Sequence, residues 1–413
     1  MLVTYYDCYN VLSKVYSDGA YIKQALNGTQ VEERNRSAIT KICYGVLDRD
    51  IELDYILQVF CAKKPKQAVK TLLKIGLYAI KYLNTAPHAV TDTLVTLCRK
   101  MGKGGVSGFI NAVLRNYLRK GVEIPNGDDV KSISIRYSCP EFLVEKLIKT
   151  YGVDSAKKIL SYDEEDTYLR FETDGEDYLK SIGANYKTTP FKNLYSVKNF
   201  RLDGGFYQGI YTYQSIGSVA ICSVASGGKK LLDCCSAPGG KAVLLSSIYD
   251  SVTACDIHEH RVNLIKSYAM RMNKDNITAV LKDASVFNAD FENDIDTVLA
   301  DVPCSGTGVI KQNPDIKLNR TGESVKSLCN LQFKILNNVS KYVKLGGELI
   351  YSTCSVLSEE NDGVIEKFIE QNGEFEVQKI DCKLNGMSTK FGMQFLPNLS
   401  MGAGFYVCKL KKV

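Results

Sequence analysis

From residue 226 onward the chain alternates short apolar runs with amphipathic stretches, and this alternation narrows the fold more than any other feature. KKLLDCC, SVTACDI, NITAVLKD, DTVLADV and GELIYST read as strands, because each is a brief apolar run bounded by turn residues. KAVLLSSIY, EHRVNLIKSYAMRM, ESVKSLCNLQFKILNNVSKYV and EENDGVIEKFIEQ lie among them with apolar residues at helical spacing. Nearly continuous apolar strands joined by helices form a mostly parallel sheet covered on both faces, so the fold class expected here is α/β. The final segment, AGFYVCKLKK, reads as a closing antiparallel strand.

The first 225 residues follow other rules. Arg36–Phe60, Gln67–Leu83, Thr91–Met101 and Ser107–Leu118 carry apolar residues on one helical face. The run LNTAPHAV reads as a loop and GKGG as a breaker. With no strand alternation, this region is expected to be an all-α bundle. After the turn-rich VEIPNGDD, Pro140 opens a helix at PEFLVEKLIKTYG, where its missing N–H costs little. TYLRFET and LYSVKNF read as strands flanking a helix at EDYLKSIG, which makes a small α+β module. The expected domains are 1–125, 126–225 and 226–413.

Composition excludes several classes. No run of eighteen apolar residues occurs, so no membrane span is expected. The start MLVTYYDCYN lacks a basic patch followed by an apolar stretch, so no secretory signal is expected. Fourteen cysteines are scattered through strand and helix patterns, which fits a reduced, cytoplasmic setting. Without a C-x-x-C pair and with three histidines, no metal site is expected. Residues 1–125 hold 18 Lys and Arg against 10 Asp and Glu, a net +8; the whole chain is +6, which leaves −2 for the rest. A basic helical module on a nearly neutral body fits a polyanion partner, and equally a solvated basic surface. Nothing signals oligomerisation, so a monomer is expected.

Two cysteines stand at the ends of strand-like runs, Cys304 in DTVLADVPCSGTGV and Cys354 in GGELIYSTCSVLSEEN. Both strands exit into small-residue turns at the edge where open α/β sheets bind ligands. A thiol pair there suits covalent chemistry on an electron-poor ring. Inert packing is the alternative; it suits Cys43, Cys98 and Cys222 better than this pair. LLDCC runs into SAPGGK and a helix, whose small residues let the backbone approach a ligand. It is neither G-x-G-x-x-G nor a P-loop. Asp256 ends the second strand, 16 positions after Gly240; Asp283 follows the third and Asp301 ends the fourth. Carboxylates so placed suit ribose hydroxyls, an adenine amine and a positive charge, which together describe S-adenosyl-L-methionine. Capping of turns and helices is the competing use for such residues.

CSAPGGK at Cys235–Lys241, DVPCSGTG at Asp301–Gly308, KQNPDIK at Lys311–Lys317 and STCSVLSEEN at Ser352–Asn361 resemble the Sun-type (RsmB/NOP) RNA cytosine-5 methyltransferases. YQSIGSVA and IRYSCPEFLVEKL resemble the family's segments ahead of the catalytic domain, and APHAVTDTLV with GFINAVLRNYLR is similar to NusB, a helical RNA-binding protein. The resemblance spans nearly the whole chain. It implies a Rossmann-like class I methyltransferase domain behind a NusB-like bundle and a small linking, RNA-binding module. It also implies methylation of carbon 5 of a cytosine in 16S ribosomal RNA with S-adenosyl-L-methionine as cofactor.

The catalytic set it implies is Cys354, Cys304, Asp301 and Lys241. The cofactor set is Cys235, Ser236, Ala237, Pro238, Gly239, Gly240 and Lys241, with Asp256, Arg261, Asp283 and Asp301. By this resemblance Cys354 adds to carbon 6 of the ring. Cys304 helps remove the carbon 5 proton and releases the enzyme. Asp301 suits either protonation of ring nitrogen 3 or contact with the cofactor's methionine end. A free thiol is only a few per cent ionised at neutral pH, so Lys241 and the nearby helix start are candidate sources of positive potential.

Four positions depart from the family pattern. Cys139 stands for the usual His, Phe142 for Trp, Ser215 for Asp and Ala403 for Asp. The rival readings are a transfer RNA cytosine-5 methyltransferase, a non-catalytic RNA-binding assembly protein and a nicotinamide-dependent oxidoreductase. The NusB-like start, the intact cysteine and aspartate set, and the missing glycine fingerprint argue against them in turn.

Overall fold

The computed structural model describes residues 1–163 and 167–413. It forms two compact units, residues 1–161 with 310–321, and residues 162–309 with 322–413.

The first unit is helical. Its main core gathers one apolar face from helices between Leu2 and Lys120, including Leu12, Ile39, Leu53, Leu72, Leu94 and Leu114. The stretch Arg36–Phe60, read above as one helix, is two: Glu33–Asp48 and Asp50–Phe60 meet at Arg49. The break has an electrostatic cause. Asp50 and Glu52 open the second helix, yet both are buried. Turning there aims Asp50 at Lys74 and Tyr16, and Glu52 at Lys81 and Tyr82. Lys74, itself buried, also reaches Asp54 at 2.9 Å. Buried charges persist only when paired, so these partners outweigh the continuity of one helix. The helix expected from Thr91 starts at Pro87. Proline suits a first helical position, where its N–H would be unpaired anyway, so part of LNTAPHAV is helix.

The segment 310–321 belongs to this unit. Lys317 Nζ lies 2.7 Å from Asp48 Oδ1, and Lys311 lies 3.6 Å from the other oxygen. Burial raises the Asp48 carboxyl, but the Lys317 and Lys311 charges more than reverse this and hold it below its ordinary range. The Ile22 N–H donates to Asp315 at 3.3 Å.

The second unit holds two sheets. Strands β1 (Thr167–Phe171), β2 (Asn185–Thr188), β3 (Leu194–Lys198) and β4 (Tyr211–Tyr213) form a small antiparallel sheet in the order β2-β3-β1-β4. The large sheet contains β5 (Gly228–Asp233), β6 (Tyr249–Asp256), β7 (Ile277–Leu281), β8 (Ile295–Asp301), β9 (Val343–Thr353), β10 (Phe375–Gln378), β11 (Met387–Ser388), β12 (Met393–Phe395) and β13 (Phe405–Lys412). Its order is β11-β12-β13-β9-β8-β5-β6-β7, and β10 pairs with β13. β5 through β9 run parallel, and β13 closes against β9 antiparallel.

Alternation along the central strands explains the two-sided burial. Leu231, Leu299 and Ile350 join one cluster, while Leu232, Val298, Ala300, Leu349 and Tyr351 join another. Neighbouring residues point to opposite faces, so both faces are dry. β10, β11 and β12 escape a reading of the sequence because they are two to four residues long, too short to show a period. Order reverses between β5 and β8, the position where such sheets leave a crevice at their carboxyl ends. Asp233, Asp301 and Thr353 close β5, β8 and β9 there.

Leu349 is fully buried. Leu349→Ala is expected to lower stability by roughly 2–5 kcal/mol, lost transfer energy plus cavity, measured by urea unfolding.

Candidate active site

The turns after β8 and β9 bring Cys304 and Cys354 together. Their sulfurs are 2.9 Å apart, and the Cys354 N–H points at the Cys304 sulfur at 3.2 Å. Both thiols are free. The hydrogen bond with Cys354, then burial, then the charges of Cys354 and Glu360 push the Cys304 thiol well above a free cysteine. Cys304 is therefore held as a neutral thiol beside its partner. Cys43 and Cys222 are also pushed up, chiefly by burial in apolar surroundings, as expected of packing residues.

The Cys304 turn sits backbone on backbone against the loop before β13. A Cβ on Gly308 would lie 1.8 Å from the Gly404 carbonyl oxygen, so only glycine fits. The Gly308 N–H donates to the Cys354 carbonyl at 3.0 Å, tying the turns directly.

A buried carboxylate ties them again. Glu360 Oε1 accepts from the Ser305 N–H at 2.8 Å and from Gln332 Nε2 at 2.9 Å. Its Oε2 accepts from the hydroxyls of Ser305 and Ser355, the latter at 2.6 Å. Asn361 accepts from Thr353 Oγ1 at 2.6 Å and donates to the Ser355 carbonyl at 3.0 Å. The sequence carries Glu360 and Asn361 in its SEEN run, but nothing there assigns them partners. Gln332 lies inside the helix Gly322–Val339 and has no sequence signal at all.

Next to the thiols, Asp301 accepts from Ser352 Oγ at 2.7 Å and pairs with Lys241 Nζ at 2.7 Å. Burial alone would pull the Lys241 ammonium down, but the Asp301 charge and hydrogen bond more than compensate and raise it. The Lys241 ammonium thus meets Asp301 rather than a thiol.

The loop from Cys234 to Gly239 joins β5 to the helix Gly240–Leu245. Its Ser236 N–H donates to the Cys255 carbonyl in β6 at 2.8 Å, and the Gly239 N–H to the Ser236 carbonyl at 2.7 Å. Gly239 has φ of 103°, a conformation that favours glycine. Gln214 Nε2 holds the Gly240 carbonyl at 3.1 Å. Pro238 and Ala237 complete this turn, and Arg261 Nη2 reaches the Ala237 carbonyl at 3.3 Å. Burial pushes the Cys235 thiol well up. Asp256 is buried; it accepts from the His258 N–H at 3.1 Å and lies 3.5 Å from Arg261 Nη1. Asp283 accepts from the Ser285 N–H at 2.8 Å. The structure therefore pairs Cys304 with Cys354 just beyond the ends of β8 and β9, and pairs Asp301 at the end of β8 with Lys241. It ranges the loop, Asp256, Arg261 and Asp283 along the strand ends β5 to β7.

Two departures from the family pattern acquire a physical meaning. Ser215 caps the helix Ile216–Cys222 by accepting from the Ser218 N–H at 3.2 Å, a task aspartate also performs. Ala403 is buried within an apolar cluster of this unit.

Comparison with known proteins gives consistent matches. A model of the 16S rRNA methyltransferase RsmB/F matches residues 224–411, and one of the NusB family matches residues 8–119. A probable ribosomal RNA small subunit methyltransferase B of Bacillus subtilis is 30% identical, over 97% of this chain and 97% of its own. The chain belongs to the RsmB/F family of 16S rRNA methyltransferases. The ribosomal RNA small subunit methyltransferase B of Escherichia coli K12 is 28% identical over 93% of this chain and 92% of its own. The crystal structure of PH0851 matches with a TM-score of 0.83 at 19% identity, covering 100% and 99% of the two chains. A methyltransferase homologue from Pyrococcus horikoshii gives 0.58 at 20% identity, over 69% and 99%. At those identities the two structures bear on the fold alone. The α/β fold and helical start expected from sequence are the family's own.

RsmB/F enzymes are S-adenosylmethionine-dependent, and the β5 loop fits such a ligand. Both Asp233 oxygens and the Ser236 hydroxyl are buried without a well-formed hydrogen bond, so polar capacity is left for a bound group. Among the described residues no group of three His, Cys, Asp or Glu side chains could hold a metal. Among the same residues no helix is long and apolar enough to cross a membrane.

Burial, reinforced by the Asp301 charge, raises the Asp233 carboxyl from 3.8 to about 7. The folded form then keeps a proton that the unfolded chain releases near pH 4. The contribution of Asp233 to the stability of the ligand-free protein should fall as pH rises from about 4 to 7 and level off above. Asp233→Asn should flatten that fall in thermal melts across the window; an unchanged slope would refute the assignment.

Proposed function

We propose that the chain transfers a methyl group from S-adenosyl-L-methionine to carbon 5 of a cytosine in 16S ribosomal RNA through a covalent bond to Cys354. The observation that carries this reading is the pair of thiols at 2.9 Å, one pushed firmly toward the neutral form, beside an Asp–Lys pair at the same sheet edge.

Carbon 5 of cytosine is a poor nucleophile. Addition of the Cys354 sulfur to carbon 6, with proton uptake at nitrogen 3, turns the ring into an enamine whose carbon 5 can attack. Asp301, at the end of β8, is the residue suited to guiding that proton, directly or through a water. Its pairing with Lys241 and Ser352 fixes the carboxylate's direction. When bound, S-adenosylmethionine supplies an electrophilic methyl group. Cys304, its own proton first handed to water, then takes up the carbon 5 proton. The electron pair of that C–H bond forms the carbon 5–carbon 6 double bond, the Cys354 sulfur leaves carbon 6 as a thiolate, and nitrogen 3 returns its proton to Asp301 or its water. The residues proposed to hold the cofactor are Cys235 through Lys241 for its methionine end, Asp256 and Arg261 for the ribose, and Asp283 for the adenine amine.

Residues 1–125 are proposed to dock RNA, 126–225 to link and contact it, and 226–413 to perform the chemistry. This is a division of labour, and the compact units cut across it. The target base must leave its stack, because a duplex hides the attacked face. Lys63, Lys64 and Lys66 are exposed on the helical unit and suit phosphate contacts. The chain is proposed to act as a cytoplasmic monomer.

Cys354→Ala should abolish methyl transfer while S-adenosylhomocysteine binding persists; normal turnover would sink the nucleophile assignment. Cys304→Ala should accumulate an RNA complex that survives denaturing electrophoresis. Bisulfite sequencing of 16S rRNA from cells with and without the gene should differ at one cytosine. Glu at Lys63, Lys64 and Lys66 together should weaken RNA binding and reduce its salt slope by about 2, near 0.7 per lost contact to single strands. An unchanged slope would remove these lysines from the interface.

A further inference from the structure

We propose that Glu360 is the positioning residue of the thiol pair: one buried carboxylate clamps the Cys304 and Cys354 turns at working separation and keeps Cys304 as the proton-bearing partner. The inference rests on the cysteine chemistry proposed above.

Glu360 is wholly buried. Its partners are two N–H groups and two hydroxyls, all oriented as donors. A carboxylate has acceptor capacity for all four. Three of those four donors flank the chemistry directly, since Ser305 follows Cys304 and Ser355 follows Cys354. The same hydroxyls also meet each other at 3.3 Å, and Thr307 Oγ1 meets Ser355 at 3.0 Å. Gln332 braces the arrangement from the helix Gly322–Val339. Its single NH₂ group donates to Glu360 and, at 2.9 Å, to the Pro303 carbonyl just before Cys304.

A buried polar network stiffens the groups it joins; in this one every Glu360 oxygen is engaged, while Gln332 Oε1 has no partner among the described residues. Here the rigidity is aimed, because each strap ends one residue from a sulfur. Among the described residues Glu360 hydrogen-bonds to neither sulfur, so it acts through the two turns and through its charge.

The hydrogen bond with Cys354, burial and the Cys354 charge raise the Cys304 thiol most, and the Glu360 charge adds to them. Tyr351 of β9 also faces this region and gives its hydroxyl to the Glu360 carbonyl at 2.6 Å. Asp301 and Lys241 lie at the end of β8 and pair with each other. Glu360 therefore supplies the fixed negative charge that opposes loss of the Cys304 proton. A base that must hold its proton until methyl transfer, and then exchange it, needs such a neighbour.

The test uses full-length protein carrying Glu360→Gln. Iodoacetamide labelling of Cys304, followed by peptide mass spectrometry from pH 6 to 10, should shift its midpoint downward. Labelling at pH 8 should rise above that of the unsubstituted protein. The kcat should fall while S-adenosylhomocysteine affinity stays within twofold. Ser355→Ala removes one strap and no charge; it should lower kcat without moving the Cys304 midpoint, and it answers the question if Glu360→Gln does not fold. A wild-type labelling profile and kcat in Glu360→Gln, or wild-type kcat in Ser355→Ala, would overturn the clamp. Cys354→Ala separates the two ideas. Turnover in that variant defeats the cysteine mechanism, whereas an inactive Cys354→Ala beside an unaffected Glu360→Gln defeats the clamp alone.

Discussion

A sheet that is dry on both faces has one place left for polar chemistry, the ends of its strands. Leu231 and Leu232, or Leu349 and Ile350, commit consecutive side chains to opposite apolar clusters. No functional side chain can then project from the middle of these strands without stranding a polar group in the core. Asp233, Asp301 and the cysteine turns all fall at the carboxyl edge for this reason. The reversal of order between β5 and β8 opens the crevice that these groups line.

The parts legible in the sequence were those governed by local rules. Strand runs of four to eight apolar residues declared the sheet, and proline and glycine marked its turns. The cysteines and strand-end aspartates could be found because their neighbours in sequence are also their neighbours in space. Glu360 shows where this stops. Its donors come from positions 305, 332 and 355, and no period or spacing links those three. The same limit produced the error at Arg49. Apolar spacing continues through that residue, but the turn is set by Lys74 and Lys81, more than twenty positions away.

Departures from a family pattern also become interpretable once partners are visible. Ser215 retains a cap that aspartate also provides, so the helix Ile216–Cys222 keeps its start. At position 403 a small apolar residue fills a buried site beside Gly404.

The path of the chain through segment 310–321 has a further consequence. Five residues beyond Cys304 the chain leaves the catalytic unit, is held in the helical unit by Lys317 on Asp48 and by Asp315 on Ile22, and returns at Gly322. The returning helix carries Gln332 back to the thiol turns. The helical part is consequently not an exchangeable cassette. Grafting a different RNA-binding domain in front of the catalytic one would leave this loop without Asp48 and Ile22, and its two ends are the Cys304 turn and the helix that braces it. Recombination that shuffles domains at their termini must therefore move the helical unit and the loop together, two stretches of gene separated by most of the sheet.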